Sequence, residues 1–266
     1  MFIDTHCHLD AAEFGDTQAD IVRNAAAAGV TRLVIPSVAC NNFEPVRKLC
    51  EQYPNCAPAY GIHPMYTDDA TPRDLEALRK YLTQHPAIAV GEIGLDFFIP
   101  HYNQTRQEHF FVEQLKLARD FDLPVLLHIR RAQDTILKHL RHFYSRVGPS
   151  TKLRTGIAHA FNGSRQQADE FIKLGFKLGF GGAMTHSRAT KLRELAATLP
   201  LECMVLETDA PDIPPDFLER GLPNEPKYLP RIAQTLAELR GTSLEVIAQA
   251  TTTNAGVVMP ALRPSP

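Results

Sequence analysis

No run of about 18 apolar residues occurs anywhere in the chain, so nothing in it reads as a membrane-spanning helix. The N-terminus lacks a basic segment followed by an apolar stretch. Phe2-Ile3-Asp4-Thr5-His6 already has the character of a strand, so no cleaved signal is expected. The five cysteines are odd in number, scattered and free of CxxC spacing, which argues against a disulfide framework and for reduced thiols in a cytoplasmic protein. A basic excess is missing too: 28 Lys and Arg stand against 30 Asp and Glu, a formal net charge of −2. That excludes a factor that coats duplex DNA, though not an enzyme that grips a few phosphates. With no Gly/Ser tract, low-complexity stretch or charge run, residues 1–266 read as one domain, expected to be monomeric and without an obligate protein partner.

What is present is alternation. Strand-like runs at Phe2–His6, Arg32–Val38, Ala57–His63, Ala87–Gly94, Pro124–His128, Arg154–His159, Phe176–Gly181 and Met204–Asp209 are separated by amphipathic, helix-like segments. These are Asp16–Ala28, closed by Gly29, Phe43–Tyr53, Thr71–Gln84 with Pro72 in its first turn, Gln104–Phe121, Ala132–Val147, Ser164–Leu174, Ala189–Leu199 and Pro226–Arg240, with a last helix from about Ser243. In Gln104–Phe121, Phe110, Phe111, Leu115 and Ala118 recur at helical spacing, the mark of one buried face. Such alternation implies parallel βαβ units. An open doubly wound sheet has the same periodicity, but eight strands favour a closed α/β (β/α)8 TIM-type barrel, and the length suits one.

The informative polar residues end these strands. His6 and His8 flank Cys7, and a period of two sends both imidazoles to one face. Glu92 interrupts the apolar Val90-Gly91-Glu92-Ile93-Gly94. His128 follows Pro124-Val125-Leu126-Leu127, His159 follows Gly156-Ile157-Ala158, and Asp209 closes Val205-Leu206-Glu207-Thr208-Asp209. Singly, each has a bland reading as a rim or core residue. Together they occupy the C-terminal ends of strands 1, 4, 5, 6 and 8, where barrel enzymes place their chemistry. Buried carboxylates without partners cost several kcal/mol, a cost that cations remove, and four imidazoles with two carboxylates suit a paired divalent site.

The blocks Ile3-Asp4-Thr5-His6-Cys7-His8-Leu9-Asp10, Gly61-Ile62-His63-Pro64, Gly91-Glu92-Ile93-Gly94-Leu95-Asp96, Leu127-His128-Ile129-Arg130, His159-Ala160-Phe161-Asn162-Gly163-Ser164 and Glu207-Thr208-Asp209-Ala210-Pro211 resemble, in order, those of the TatD family of metal-dependent deoxyribonucleases. The resemblance implies a distorted, amidohydrolase-like barrel with two divalent cations (Mg, Mn or Zn). It further implies that His6, His8 and Asp209 hold one, that His128 and His159 hold the other, and that Glu92 bridges them. His63 would meet the substrate phosphate, and Glu207 is the family's acidic residue two before the aspartate. Many members carry Arg-Asn in the loop after strand 8, where this chain has Pro223-Asn224.

The expected reaction is a hydroxide shared by two cations attacking a phosphodiester, as in a 3'-5' exonuclease on single-stranded DNA, with nucleic-acid ends or small phosphodiesters as substrates. Asp209 would accept the proton. His63 and Arg130 would neutralise phosphate charge, Asn162 would contact substrate, and Asp4 would orient an imidazole. His186 and Arg188, after strand 7, are weaker candidates for substrate contact, whereas His85, His101, His109, His139 and Arg131 read as structural or surface residues. Two rivals stand beside this reading. An amidohydrolase-type enzyme for a cyclic amide, lactone or small ester often bridges its metals with a lysine at the end of strand 4, where this chain has Glu92. A non-catalytic metal-binding interaction protein would be expected to have lost some ligands, and all six are present.

Overall fold

A computed structural model describes residues 1–145 and 155–263. Eight strands run parallel in sequence order: β1 (Phe2–Asp4), β2 (Val30–Pro36), β3 (Cys56–Tyr60), β4 (Ala89–Asp96), β5 (Val125–Arg130), β6 (Gly156–Ala158), β7 (Lys177–Phe180) and β8 (Met204–Leu206). Between and after them lie α1 (Gln18–Ala27), α2 (Phe43–Gln52), α3 (Pro72–Gln84), α4 (Gln104–Asp120), α5 (Gln133–Ser145), α6 (Arg165–Lys173), α7 (Thr190–Thr198), α8 (Leu229–Arg240) and α9 (Leu244–Val258). Val147 and Arg154, expected in the fifth helix and sixth strand, lie outside the described residues. Residues 226–228, expected to open α8, form a separate 3-10 turn.

β8 meets β1 through scattered contacts rather than a continuous ladder. Thr5 N donates to Leu206 O (3.1 Å), Asp209 N to His6 O (2.9 Å) and His8 N to Ala210 O (2.8 Å), so the sheet is a closed but distorted barrel. Six of the expected strands overran the ladders at their C-terminal ends, whereas β4 and β5 run two residues past the expected Gly94 and His128. β1 stops at Asp4 and β8 at Leu206, because the residues beyond turn to aim side chains at the barrel mouth.

Local signals explain the elements. Ser164 caps α6 in a capping box with Gln167, Ser243 caps α9, and Pro72 starts α3 where no intrahelical N–H is needed. Gly29 follows α1 with a φ of 87°, a conformation glycine adopts without penalty. Ile3, Val34, Ala59, Ala89, Leu126, Ile157 and Val205 form one apolar layer, sealed by Ala255, Val258, Met259 and Leu262 at the end of α9 and beyond. A larger core fills the space between sheet and helices and includes Cys7 and the α4 face of Phe110, Phe111, Leu115 and Ala118. All five cysteines are free thiols. Among the described residues no helix is long and apolar enough to cross a membrane.

Asp4 is fully buried at the β1–β8 seam. Its carboxylate accepts from His6 N (3.2 Å), Thr208 N (3.0 Å) and Thr208 Oγ1 (2.6 Å). Rather than orienting an imidazole, as expected, it ties two backbones together, because both chains have left the ladder and offer their N–H groups there. Burial pushes its carboxyl up to about 7, against the donors from Thr208 and His6. A folded-state pKa above the ordinary 3.8 means that this contribution to stability is whole below about pH 4 and fades as the pH rises through 7. Asp4→Asn keeps a carbonyl for the two N–H donors and an amide for the Thr208 hydroxyl. It is expected to flatten the decline in urea midpoint between pH 4.5 and 7.5; an unchanged slope would assign that decline to other groups.

Candidate metal centre

Several site residues follow from the apolar layer by one strand period. Two residues beyond Leu126, Ile157 and Val205 stand His128, His159 and Glu207. At β4 the parity breaks: pairing with β5 shifts register between Val90 and Ile93, across Gly91 and Glu92. This irregularity brings the Glu92 carboxylate, 2% exposed, to the centre of the mouth.

Glu92 divides its two oxygens. Oε2 lies 3.1 Å from His6 Nε2 and 3.5 Å from His8 Nε2, while Oε1 lies 2.8 Å from His128 Nδ1 and 3.6 Å from His63 Nε2. On the first side, His6 Nε2 and His8 Nε2 are 3.2 Å apart, and Asp209 Oδ1 is 3.7 Å from each. Ligands about 2.1 Å from one ion stand roughly 3.0–3.4 Å apart in octahedral or tetrahedral order, so these spacings fit a cation within small adjustments. His6, His8 and Asp209 therefore come together as expected. His159 reaches this side as well: its Nε2 lies 3.5 Å from Asp209 Oδ1, its ring stacks on His6 with centroids 3.6 Å apart, and it joins His6 and Glu92 in a second possible ligand triad. His128 joins Glu92 and His63 in a third.

His63, 6% exposed, sits deeper than a rim contact. Its Nδ1 accepts from Met65 N (3.2 Å), which leaves the proton on Nε2 in the neutral ring. Burial, with His128 alongside, lowers its pKa to about 3. A neutral ring with Nε2–H donates to an anion and does not ligate a cation, which separates His63 from the triad it joins by distance.

Two carboxylates orient imidazoles. Glu207, 1% exposed, lies with Oε1 2.9 Å from His159 Nδ1 and accepts from Ala160 N (2.5 Å). Asp96, fully buried on β4, lies with Oδ2 3.0 Å from His128 Nε2. Sequence reasoning gave Asp96 no role, although the period of two already puts it on the face of Glu92. It also missed Gln107, whose amide brackets the Asp96 backbone (2.8 and 3.1 Å), and Gln114, which does the same for Ile62 beside His63 (2.7 and 3.0 Å). Seven residues apart, they lie on the buried face of α4 and hold the ends of β3 and β4.

Charge balance follows from this packing. Burial works to raise the Glu92 carboxyl, yet His6, His63 and His128 hold it well below the usual range. Burial opposes charge on His8 and His159 as well. Glu92 and Asp209 nonetheless raise His8 to about 9, and Glu207 and Asp209 hold His159 well above its ordinary value. His6 is lowered by burial and by His159.

The residues expected at the substrate divide. Arg130 and Asn162 are exposed and line a cavity of about 1040 Å³ over the carboxylates; Gln133 Nε2 stands 3.4 Å from Asn162 Oδ1. His186 spends its nitrogens on Pro214 O (3.0 Å) and Asp216 (3.1 Å), away from that cavity. At the Pro223-Asn224 departure, Asn224 is fully buried and donates to Thr208 O (2.8 Å), Asp212 O (3.0 Å) and Ile213 O (3.2 Å). It thereby braces the loop in which Asp209 adopts a φ of 57°, a left-handed conformation costly for a residue with a side chain.

Comparison with known proteins gives consistent results. The family model for TatD related DNase matches residues 3–259. The chain is 44% identical over 257 residues to an uncharacterized metal-dependent hydrolase, YjjV, of Escherichia coli K12, covering 95% of each. It is 32% identical to a 3'-5' ssDNA/RNA exonuclease TatD of Escherichia fergusonii, covering 94% of this chain and 96% of the relative. The crystal structure of the E. coli K12 YjjV, a TatD homologue, superposes with a TM-score of 0.91 at 41% identity, covering 97% of this chain and 98% of that one.

Proposed function

We propose that this chain, which belongs to the TatD related DNase family, is a metal-dependent hydrolase that cleaves phosphodiester bonds at the 3' ends of single-stranded nucleic acid. The observation that carries the reading is the Glu92 carboxylate, whose Oε2 faces His6 and His8 while Oε1 faces His128. A carboxylate shared in this way suits two neighbouring cations: one among His6, His8, Asp209 and Glu92, the other between Glu92 and His128, with His159 reachable from both sides. Divalent cations at such a site acidify water and offset charge on a phosphoryl group.

The chain's own groups do the rest. Asp209, its side chain 15% exposed, takes the proton of the attacking water on Oδ2, since Oδ1 faces His6 and His8. His63 donates Nε2–H to a phosphate oxygen, its tautomer set by Met65 N. Glu207 and Asp96 hold His159 and His128 in their orientations. Arg130 at the rim and Asn162 in the neighbouring loop after β6 meet the bound strand. The family match and the exonuclease name of a 32% identical relative support a nucleic-acid substrate.

The test compares an end-labelled single-stranded oligonucleotide with bis-p-nitrophenyl phosphate, after chelation and re-addition of Mg²⁺, Mn²⁺ or Zn²⁺, with His128→Ala as control. Metal-dependent shortening from the 3' end, lost in the variant, is the expected result. Hydrolysis of neither substrate by metal-loaded protein would sink the proposal and favour an amide or lactone substrate.

A further inference from the structure

The barrel mouth is electrically lopsided. Asp10, Glu13 and Asp212 line it beside β8 and β1. On the opposite side of an eight-stranded barrel, after β4 and β5, stand Arg130 and Arg131. Beside them lies Phe98, a residue 45% exposed, with the Arg130 Cζ 3.8 Å and the Arg131 Cζ 4.5 Å from its ring centre. An exposed aromatic ring clustered with two guanidinium groups beside a carboxylate-rich cavity has no evident role in the core. Arg131, which reads as plain surface in the sequence, takes a φ of 56°, so its backbone is held in a conformation unfavourable for a side-chain-bearing residue while its guanidinium lies at Phe98.

This cluster is tied rigidly to the metal centre. Asp96 Oδ1 accepts from Phe98 N (2.8 Å) and Ile99 N (3.3 Å), while Oδ2 of the same carboxylate lies 3.0 Å from His128 Nε2. Phe97 N donates to Arg130 O (2.8 Å), and Arg130 both follows His128 on β5 and lines the cavity. The position of the ring is thus set by the side chain that orients an imidazole.

From this geometry we infer that Phe98, Arg130 and Arg131 form a stacking platform for a nucleobase of a single-stranded nucleic acid, next to the nucleotide being cleaved. The inference rests on the nuclease reading and adds the path of the strand. Aromatic rings and guanidinium planes stack on any base, and two cations attract the phosphates on either side. The acidic opposite wall repels a continuing polyanion, so the strand leaves over β4 and β5 and its end lies at the carboxylates.

The test uses metal-loaded protein and single-stranded oligonucleotides carrying one abasic site at each of the first four positions from the 3' end, with bis-p-nitrophenyl phosphate alongside. Phe98→Ala is expected to raise the oligonucleotide KM about tenfold more than it raises that of the small diester, as loss of one base stack would. An abasic site at one position should cost the wild type a comparable factor and Phe98→Ala nothing further, while Phe98→Trp restores the wild-type pattern. Arg131→Gln should lower the salt dependence of KM by about one phosphate contact. Abasic penalties that are equal in wild type and Phe98→Ala at every position would overturn the platform. Cleavage of the small diester with the oligonucleotide left intact would instead overturn the nuclease reading beneath it.

Discussion

Glu92→Ala is expected to lose its cations together and to hydrolyse substrate at background rates, at least about a thousandfold below wild type. The reason is geometric. Both oxygens of this carboxylate are engaged, one toward His6 and His8 and one toward His128, and its side chain is only 3% exposed, so no water-borne anion replaces it. Without it, His6, His8, His63 and His128 surround a space that no longer holds negative charge, and a cation entering there meets imidazoles alone on the His128 side. Glu92→Gln keeps the volume and removes the charge, and should behave the same. His8→Ala, by contrast, removes one ligand from one side and should leave part of the metal content. Bound metal measured by elemental analysis, with thermal melts to show that each variant is folded, decides the matter. Full metal content in Glu92→Ala would show that Glu92 does not bridge.

The second large effect comes from a residue with no functional group. A Cβ at Gly179 would lie 2.2 Å from Glu207 Oε2 and 2.5 Å from Glu207 Cδ. Glu207 is 1% exposed and cannot retreat into solvent, so Gly179→Ala must push it away from His159 Nδ1 and Ala160 N. Loss of such an orienting partner costs about 10–100-fold in metal affinity or rate. Overpacking adds a stability cost of about 1–3 kcal/mol. Adding Glu207→Asp, one methylene shorter, should recover part of the rate in the double variant. A Gly179→Ala enzyme with wild-type rate and metal affinity would show that Glu207 does not position His159.

The barrel was legible because each strand is a short apolar run and most helices carry a cap or breaker at one end or both, signals that act within a few residues. Six candidate ligands were legible because ionisable side chains at the ends of buried strands have few stable explanations. The contacts of His159 were not: the resemblance groups it with His128, and the fold stacks it on His6 and brings it to Asp209. Asp4 was assigned to an imidazole because it shares a strand with His6, and it serves two backbones instead.

The sequence alone determined the alternation of eight strands with helices, the end of the barrel that carries the chemistry and the residue types available there, since these depend on local periodicity and on the cost of burying charge. Tertiary structure decided which oxygen of Glu92 faces which imidazole, the tautomer of His63, the bracing of the Asp209 loop by Asn224, the clips made by Gln107 and Gln114, and the exposed Phe98 clustered with two arginines. Those contacts join groups up to 86 residues apart. Each depends on distances of a few tenths of an ångström that only the packing of strands and loops against one another sets.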